Sequence, residues 1–135
     1  MVIQQDYLMR QIELVARALA KFIFDKSTPE YIILNEDGYS ETDLVLKDIL
    51  ELLGEKKINE AENLLFENIY AEIEINMANP DLPEEKKYLE LAIDFYSRLN
   101  NLNDKFLEEC RFERSEIDEG IRKVAEIYNY DSIII

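Results

Sequence analysis

An all-α fold, in which about five helices form the antiparallel hairpins of a bundle, is predicted by two properties of the sequence. Apolar residues recur at steps of three and four over several long stretches, which is the spacing of one helix face. The chain has only three glycines and three prolines among 135 residues, too few for the turns of many short strands. Its length and its hydrophobic content of 47% predict a single helical domain, residues 1–135, with its own core.

The first helix is predicted over residues 5–25. Its apolar stripe is formed by Leu8, Ile12, Val15, Leu19 and Phe22. Met9 and Ala16 lie beside this stripe and widen it. A face this broad indicates a helix that docks between two others. Residues 31–34, which follow, fit a short strand as well as a helical turn or an extended connector, and we favour the helical turn or the connector.

Two helices joined by a tight turn are predicted next. Ser40 and Asp43 have the spacing of a capping box, and Gly54 marks the end of the first helix. The second covers residues 59–76, and because only residues 55–57 separate the two, they must be antiparallel neighbours. Their apolar faces are formed by Leu44, Ile49, Leu50, Leu52 and Leu53, and by Ala61, Leu64, Leu65, Ile69, Ile73 and Met77.

The pattern in residues 54–65 resembles part of a tetratricopeptide unit. In such units a small residue, here at the position of Ala61, lets two helices pack closely. Only one unit is visible, and arrays of these repeats need about three or more. The resemblance therefore implies a local helix hairpin and no solenoid.

The clearest helical pattern covers residues 81–110, and we expect every other segment to pack around it. Its stripe is formed by Tyr88, Ala92, Phe95, Leu99, Leu102 and Phe106. Asp81 is the predicted N-cap, with Pro83 in the first turn. The helix is expected to lose its regularity near residues 100–103 or to end near Cys110.

A last helix is predicted to begin at a capping box of Ser115 and Asp118 and to end near Asn129. The chain then finishes with three consecutive isoleucines, residues 133–135. Exposed isoleucines at a terminus favour aggregation, so we expect them to be buried against the bundle or across a homodimer.

The charge is large and unevenly distributed. The formal net charge is −15. Residues 1–26 have four basic and three acidic side chains, a net charge of +1, whereas residues 27–135 have eleven and twenty-seven, a net charge of −16. A body this acidic disfavours nucleic-acid backbones and anionic lipid surfaces.

The sequence predicts a cytoplasmic location. Charged residues interrupt any apolar run at the N-terminus, which is atypical of a signal peptide, and no stretch is long enough to span a bilayer. The single cysteine, Cys110, fits a reducing compartment. We therefore expect a protein that binds neither nucleic acid nor membrane.

Several kinds of catalytic site are excluded by composition. The chain has no histidine, which removes the Ser-His-Asp triad, the Cys-His pair, the three-histidine zinc site and the Glu-x-x-His di-iron bundle. Three scattered glycines cannot form a phosphate-binding loop. Cys110, without a histidine to activate it, is interpreted as a small buried side chain. No cofactor is predicted.

One carboxylate pattern leaves an enzyme open as the alternative. Glu113, Glu116 and Glu119 recur every three residues, which places them on one helix face. All-α nucleotide pyrophosphohydrolases hold magnesium with such a Glu-x-x-Glu pair and a Glu-x-x-Asp pair on a second helix. The second pair is missing here, so a magnesium-dependent hydrolase of this kind is the weaker hypothesis.

Both ends of the chain resemble a family of short Firmicutes proteins classed as a domain of unknown function. The resemblance lies in residues 4–12 (QQDYLMRQI), residues 16–20 (ARALA) and residues 112–120 (FERSEIDEG). It implies a small bacterial helical protein. It brings no activity, cofactor or site residue.

The leading functional hypothesis is a non-catalytic helical module that binds a protein partner, which the sequence does not identify. An acidic decoy that binds a basic nucleic-acid-binding protein is a further alternative. The residues that could face a partner are tyrosines outside the packed stripes and the apolar tail. They are Tyr7, Tyr31, Tyr39, Tyr130, Ile133, Ile134 and Ile135.

Overall fold

The computed structural model describes residues 2–32 and 40–134, and these residues form six α-helices and no strand. The helices are α1 (Val2–Phe24), α2 (Glu41–Gly54), α3 (Ile58–Ala78), α4 (Lys87–Asn100), α5 (Asp104–Glu109) and α6 (Arg114–Ile127), and a 3₁₀ helix (Asp131–Ile134) follows α6. The all-α prediction is confirmed. Within the described ranges, none of these helices is both long and apolar enough for a bilayer span.

Helix α4 is the centre of the bundle. It packs against α1, α2, α3 and α6, and ten of its fourteen residues are buried. Leu89 and Leu91 are fully buried on nearly opposite sides of the helix, which is the pattern of a helix surrounded by others. Four helices pack around this segment as expected, whereas the 3₁₀ helix packs against α1 and α6.

Three of the neighbours of α4, namely α1, α3 and α6, run antiparallel to it. At one end Lys26, just after α1, forms a 2.6 Å ion pair with Glu90 at the start of α4. At the other end the Asn100 side chain donates to the Met9 carbonyl at 2.9 Å. Helix α1 is therefore antiparallel to α4, and it lies between α4 and α6 as predicted. Helices α2 and α3 form the predicted hairpin, with Ala61 completely buried.

The predicted helix over residues 81–110 is two helices, and its predicted start was wrong. Asp81 and Pro83 lie before α4, which begins at Lys87. No side chain of the local sequence caps this start; instead Glu72 on α3 accepts the backbone N–H of Tyr88 at 3.2 Å. The break after Asn100 agrees with the expected loss of regularity, and Asn103 caps α5 by accepting from Phe106 N at 2.7 Å.

One of the two predicted capping boxes is confirmed. Asp43 N donates to Ser40 Oγ at 3.2 Å, and Ser40 N donates to the Asp43 carboxylate at 3.0 Å. The box predicted at Ser115 was wrong because α6 begins at Arg114, which moves its Ncap two residues before Ser115. Its Ncap residue is Glu113, whose backbone N–H donates to Glu116 at 2.7 Å.

Four apolar residues placed in inward stripes are exposed instead. Phe22 on α1, Leu44 and Leu50 on α2 and Met77 on α3 lie at the surface. The reason is that the helical period is 3.6 residues, so a stripe drifts around the helix along its length. After Leu19 the inward position of α1 falls on the half-buried Ile23, which leaves Phe22 outside.

Candidate functional site

A row of large apolar side chains lies on the solvent side of α1. Tyr7 is 62% exposed, Leu14 61% and Phe22 71%. Gln11 and Ala18, half-buried, lie between them at the intermediate helical positions. Steps of four, three, four and four residues place these five side chains on one side of the helix. We call the row formed by these five residues the α1 outer face.

Charged side chains border this face along one edge. Each exposed charge immediately precedes a residue of the row in sequence, and the order is Asp6, Arg10, Glu13, Arg17 and Lys21. Arg17 and Glu13 form an ion pair of 2.7 Å along the helix. Three basic and two acidic residues give α1 a net charge of +1, whereas the other five helices carry charges from zero on α4 to −5 on α3.

The other predicted partner-facing residues do not extend this row. Tyr31 is buried and its hydroxyl donates to the Asp43 carboxylate at 2.7 Å, so it belongs to the core and that assignment is corrected. Tyr130 is half-buried and accepts from Lys86 Nζ at 3.2 Å. Ile133 and Ile134 are half-buried in the 3₁₀ helix, which packs against α1 and α6. Tyr39 and Ile135 lie outside the described residues.

The three glutamates of the enzyme hypothesis lie at the start of α6. Glu113 and Glu116 are joined through the N-cap hydrogen bond, and Glu119 is exposed one turn later. Across the described ranges, His, Cys, Asp and Glu side chains form no group of three or more that could hold a metal ion. One carboxylate oxygen of Glu116 already accepts the hydrogen bond from the backbone N–H at the start of α6.

Arg114 is the most deeply buried charged side chain near a cleft. The cleft has a volume of about 780 Å³ and is lined by Gln5, Leu8, Leu107 and Phe112, among other residues. Arg114 is only 2% exposed. Its five N–H groups meet five acceptors: Gln5 Oε1 at 3.2 Å, the backbone and side-chain oxygens of Asn100 at 2.7 and 3.1 Å, Leu102 O at 2.9 Å and Asp104 Oδ1 at 2.8 Å. An arginine has five donors, so none is left for a ligand.

Two carboxylates on α3, the half-buried Glu62 and the buried Glu72, are bonded to tyrosine hydroxyls of neighbouring helices. Glu62 accepts from Tyr96 at 2.7 Å, and Glu72 accepts from Tyr128 at 2.6 Å. Burial raises the pKa of both carboxyl groups and, more strongly, the pKa of both phenols. These tyrosines stay protonated as donors, so the pairs cross-link helices and offer no nucleophile.

Burial also raises the pKa of the Cys110 thiol. A raised pKa lowers the thiolate fraction, and the thiolate is the reactive form. Cys110 packs against the core as a half-buried side chain. This position agrees with its interpretation as a packing residue.

The chain matches the family of unknown function DUF6483 over residues 2–129. It belongs to that family. The match includes all six helices of this DUF6483 protein and ends just before the 3₁₀ helix. It confirms the suspected relationship to a domain of unknown function. Neither a curated protein nor a solved structure matches the chain.

Sequence reasoning on this DUF6483 protein missed two of the three large residues of the α1 outer face. Leu14 was in no predicted stripe, and Phe22 was placed in the inward one. A signal was present, because Tyr7, Leu14 and Phe22 are spaced by seven and eight residues, two helical turns each. A second apolar row on a helix whose inward stripe is already complete indicates an outward surface.

Proposed function

We propose that this DUF6483 protein is a non-catalytic helical module that binds protein through the α1 outer face. The observation that carries the proposal is the row of Tyr7, Leu14 and Phe22, each more than half exposed, on one side of one helix. Isolated exposed apolar residues are ordinary, but an aligned row rimmed by charges is typical of helix-mediated recognition.

The internal use of polar groups supports a non-catalytic role. Every N–H donor of Arg114 is hydrogen-bonded within the protein, and Glu62 and Glu72 accept hydrogen bonds from tyrosines. An active site needs a polar group that is free to act on a substrate within a cleft. The buried polar groups named here instead join helices, which favours a rigid scaffold that presents a surface.

The charge of α1 further supports this face as the docking surface. Most of the chain is strongly acidic, so most approaching proteins with an acidic surface are repelled. Helix α1 has a net charge of +1 and carries charges of both signs along its edge. A partner helix with both charges can therefore lie along α1 without the repulsion that the other helices impose.

A photo-cross-linking amino acid at position 14 tests the proposal. In cells that produce the protein, we expect light to yield one or a few discrete covalent adducts from position 14. The control carries the same amino acid at position 77, because Met77 on α3 is 76% exposed and not part of the α1 outer face. The absence of adducts from position 14, or the same adducts from both positions, would contradict the proposal.

A further inference from the structure

We infer that the α1 outer face binds the same face of a second copy, with the two α1 helices antiparallel around a two-fold axis beside Leu14. The inference rests on the proposed function and names its partner. It requires the face to be complementary to itself under a two-fold rotation, as every interface of a symmetric dimer is.

The spacing of the apolar residues meets this requirement. Tyr7 lies seven residues before Leu14, and Phe22 lies eight residues after it. At about 1.5 Å per residue, both aromatic rings are about 11 Å from Leu14 along the helix axis. A two-fold axis beside Leu14 therefore places Tyr7 of each copy against Phe22 of the other, with the two leucines together at the centre.

The residues between them fit close packing of two helices. Gln11 and Ala18 exchange positions under the same rotation and leave room at the intermediate steps. The first three steps along the row, of four, three and four residues, match the seam of a short two-helix coiled coil. Gln11 is the polar side chain within the row.

The charged edge favours the antiparallel orientation. All five charges border the row on the same side, and in an antiparallel pair the same edge of each helix faces its counterpart. Asp6 then lies across from Lys21 of the other copy, whereas Arg10 lies across from Arg17 and Glu13 lies across from its own counterpart. The seam therefore combines two ion pairs with like-charge contacts that salt screens. In a parallel pair, the charged edge of one α1 helix would face the opposite edge of the other. That opposite edge packs into the core of its own chain.

The charge distribution also favours α1, rather than another helix, as the surface that a second copy contacts. Two bodies of net charge −15 repel each other. Among the six helices only α1 has a net positive charge. Contact through α1 therefore keeps the acidic helices of the two copies away from each other. Salt screens the remaining repulsion between them. Dimerisation should therefore strengthen as the salt concentration rises, whereas charge-driven binding of α1 to an acidic partner would weaken.

Sedimentation velocity of the full chain, over a range of protein and salt concentrations, tests this inference. We expect a reversible dimer of twice the 16.0 kDa chain mass, with a larger dimer fraction at moderate than at low salt. Leu14→Glu places two carboxylates at the axis and should weaken dimerisation by at least about tenfold. Met77→Glu, an exposed change on α3, should leave the dimer unchanged.

Other outcomes overturn the inference in distinct ways. A wild-type monomer at every concentration contradicts self-association, and if the cross-linker at position 14 then captures a different protein, the proposed function stands alone. A dimer that survives Leu14→Glu uses another surface. Circular dichroism checks that the variant is folded, and Phe22→Ser is the second variant, with the same expected loss of dimer.

Discussion

The carboxylate of Glu72, on α3, accepts a hydrogen bond from the Tyr128 hydroxyl at the end of α6, at a distance of 2.6 Å. The same carboxylate accepts the backbone N–H of Tyr88 in the first turn of α4. One buried side chain therefore joins three helices and substitutes for the N-cap that Lys86 does not provide. The position of the central helix depends on this cross-helix contact.

Tyr128→Phe is expected to lower the free energy of unfolding by about 1 to 3 kcal/mol, because it leaves a buried carboxylate with one donor fewer. Urea denaturation followed by circular dichroism measures the loss. Tyr70→Phe is the matched control, since Tyr70 is about half exposed, and it should change stability by less than about 0.5 kcal/mol. Equal effects of the two substitutions would contradict the cross-helix role of Glu72.

Arg114→Lys is expected to lower the free energy of unfolding by about 3 to 5 kcal/mol, because a lysine cannot reach the five acceptors that the planar guanidinium contacts at once. The loss would appear as a lower denaturation midpoint. Arg122→Lys removes a half-exposed arginine that pairs with Asp118 one turn away on α6, and its effect should be below about 0.5 kcal/mol. If both variants melt alike, Arg114 does not organise the junction of α4, α5 and α6.

Gly120→Ala tests the packing of α6 against α4. A Cβ at Gly120 would overlap the hydroxyl and ring of Tyr96, so the substitution must displace the tyrosine from Glu62. We expect a loss of about 1 to 3 kcal/mol in the free energy of unfolding. Gly54→Ala, at the end of α2, meets nothing within 4 Å and should be neutral or stabilising by up to about 1 kcal/mol. The reverse order of these two effects would show that the close approach is wrong.

Stability should increase as the pH is lowered from about 8 to about 5.5. Burial raises the pKa of Glu62, Glu72 and Asp94, so the folded state binds protons at a higher pH than the unfolded chain does. Their contribution is complete below the ordinary pKa and is lost as the pH rises through the raised one. Neutralising part of the −15 charge acts in the same direction.

The contribution of Asp43 to the pH dependence of stability has the opposite sign. Burial by itself would raise its pKa, but the hydrogen bonds from Tyr31 and from Ser40 outweigh burial and lower it. Its stabilisation is present above the ordinary pKa and is lost in stronger acid. Melting temperatures between pH 8 and pH 4 measure the effect of the carboxyl groups whose pKa is raised, with Glu72→Gln as a variant whose profile should be flatter. Melting temperatures below the ordinary pKa of 3.8 measure the effect of Asp43. A wild-type melting temperature that falls steadily from pH 8 to pH 6 would contradict this assignment.

Local sequence predicted the helices well where their ends are fixed locally. The Ser40 capping box and the short turn after Gly54 were both identified because each signal lies within a few residues. The start of α4 was missed because its cap, Glu72, lies on another helix. The start of α6 was missed because Glu113 and Glu116 cap it, and glutamate is an unusual Ncap residue.

Several helix ends were hard to predict for a related reason. The residues after α1, α2, α5 and α6 that adopt a left-handed conformation are Asp25, Lys56, Arg111 and Asn129. Glycine usually fills such positions, and none of the positive-φ residues in the described ranges is a glycine. The α1 outer face was visible as a spacing, but only the packing of α1 between α4 and α6 determines which of its two apolar rows is outward.

Cysteine cross-linking at the α1 outer face tests the central claim most directly. In a Cys110→Ser background, Leu14→Cys is expected to form a covalent dimer rapidly under mild oxidation, because the two-fold axis brings the two positions together. Tyr7→Cys and Phe22→Cys should each link slowly alone but quickly when mixed. Self-linkage of Tyr7→Cys, or linkage at position 14 no faster than at a Met77→Cys control, would contradict the antiparallel dimer.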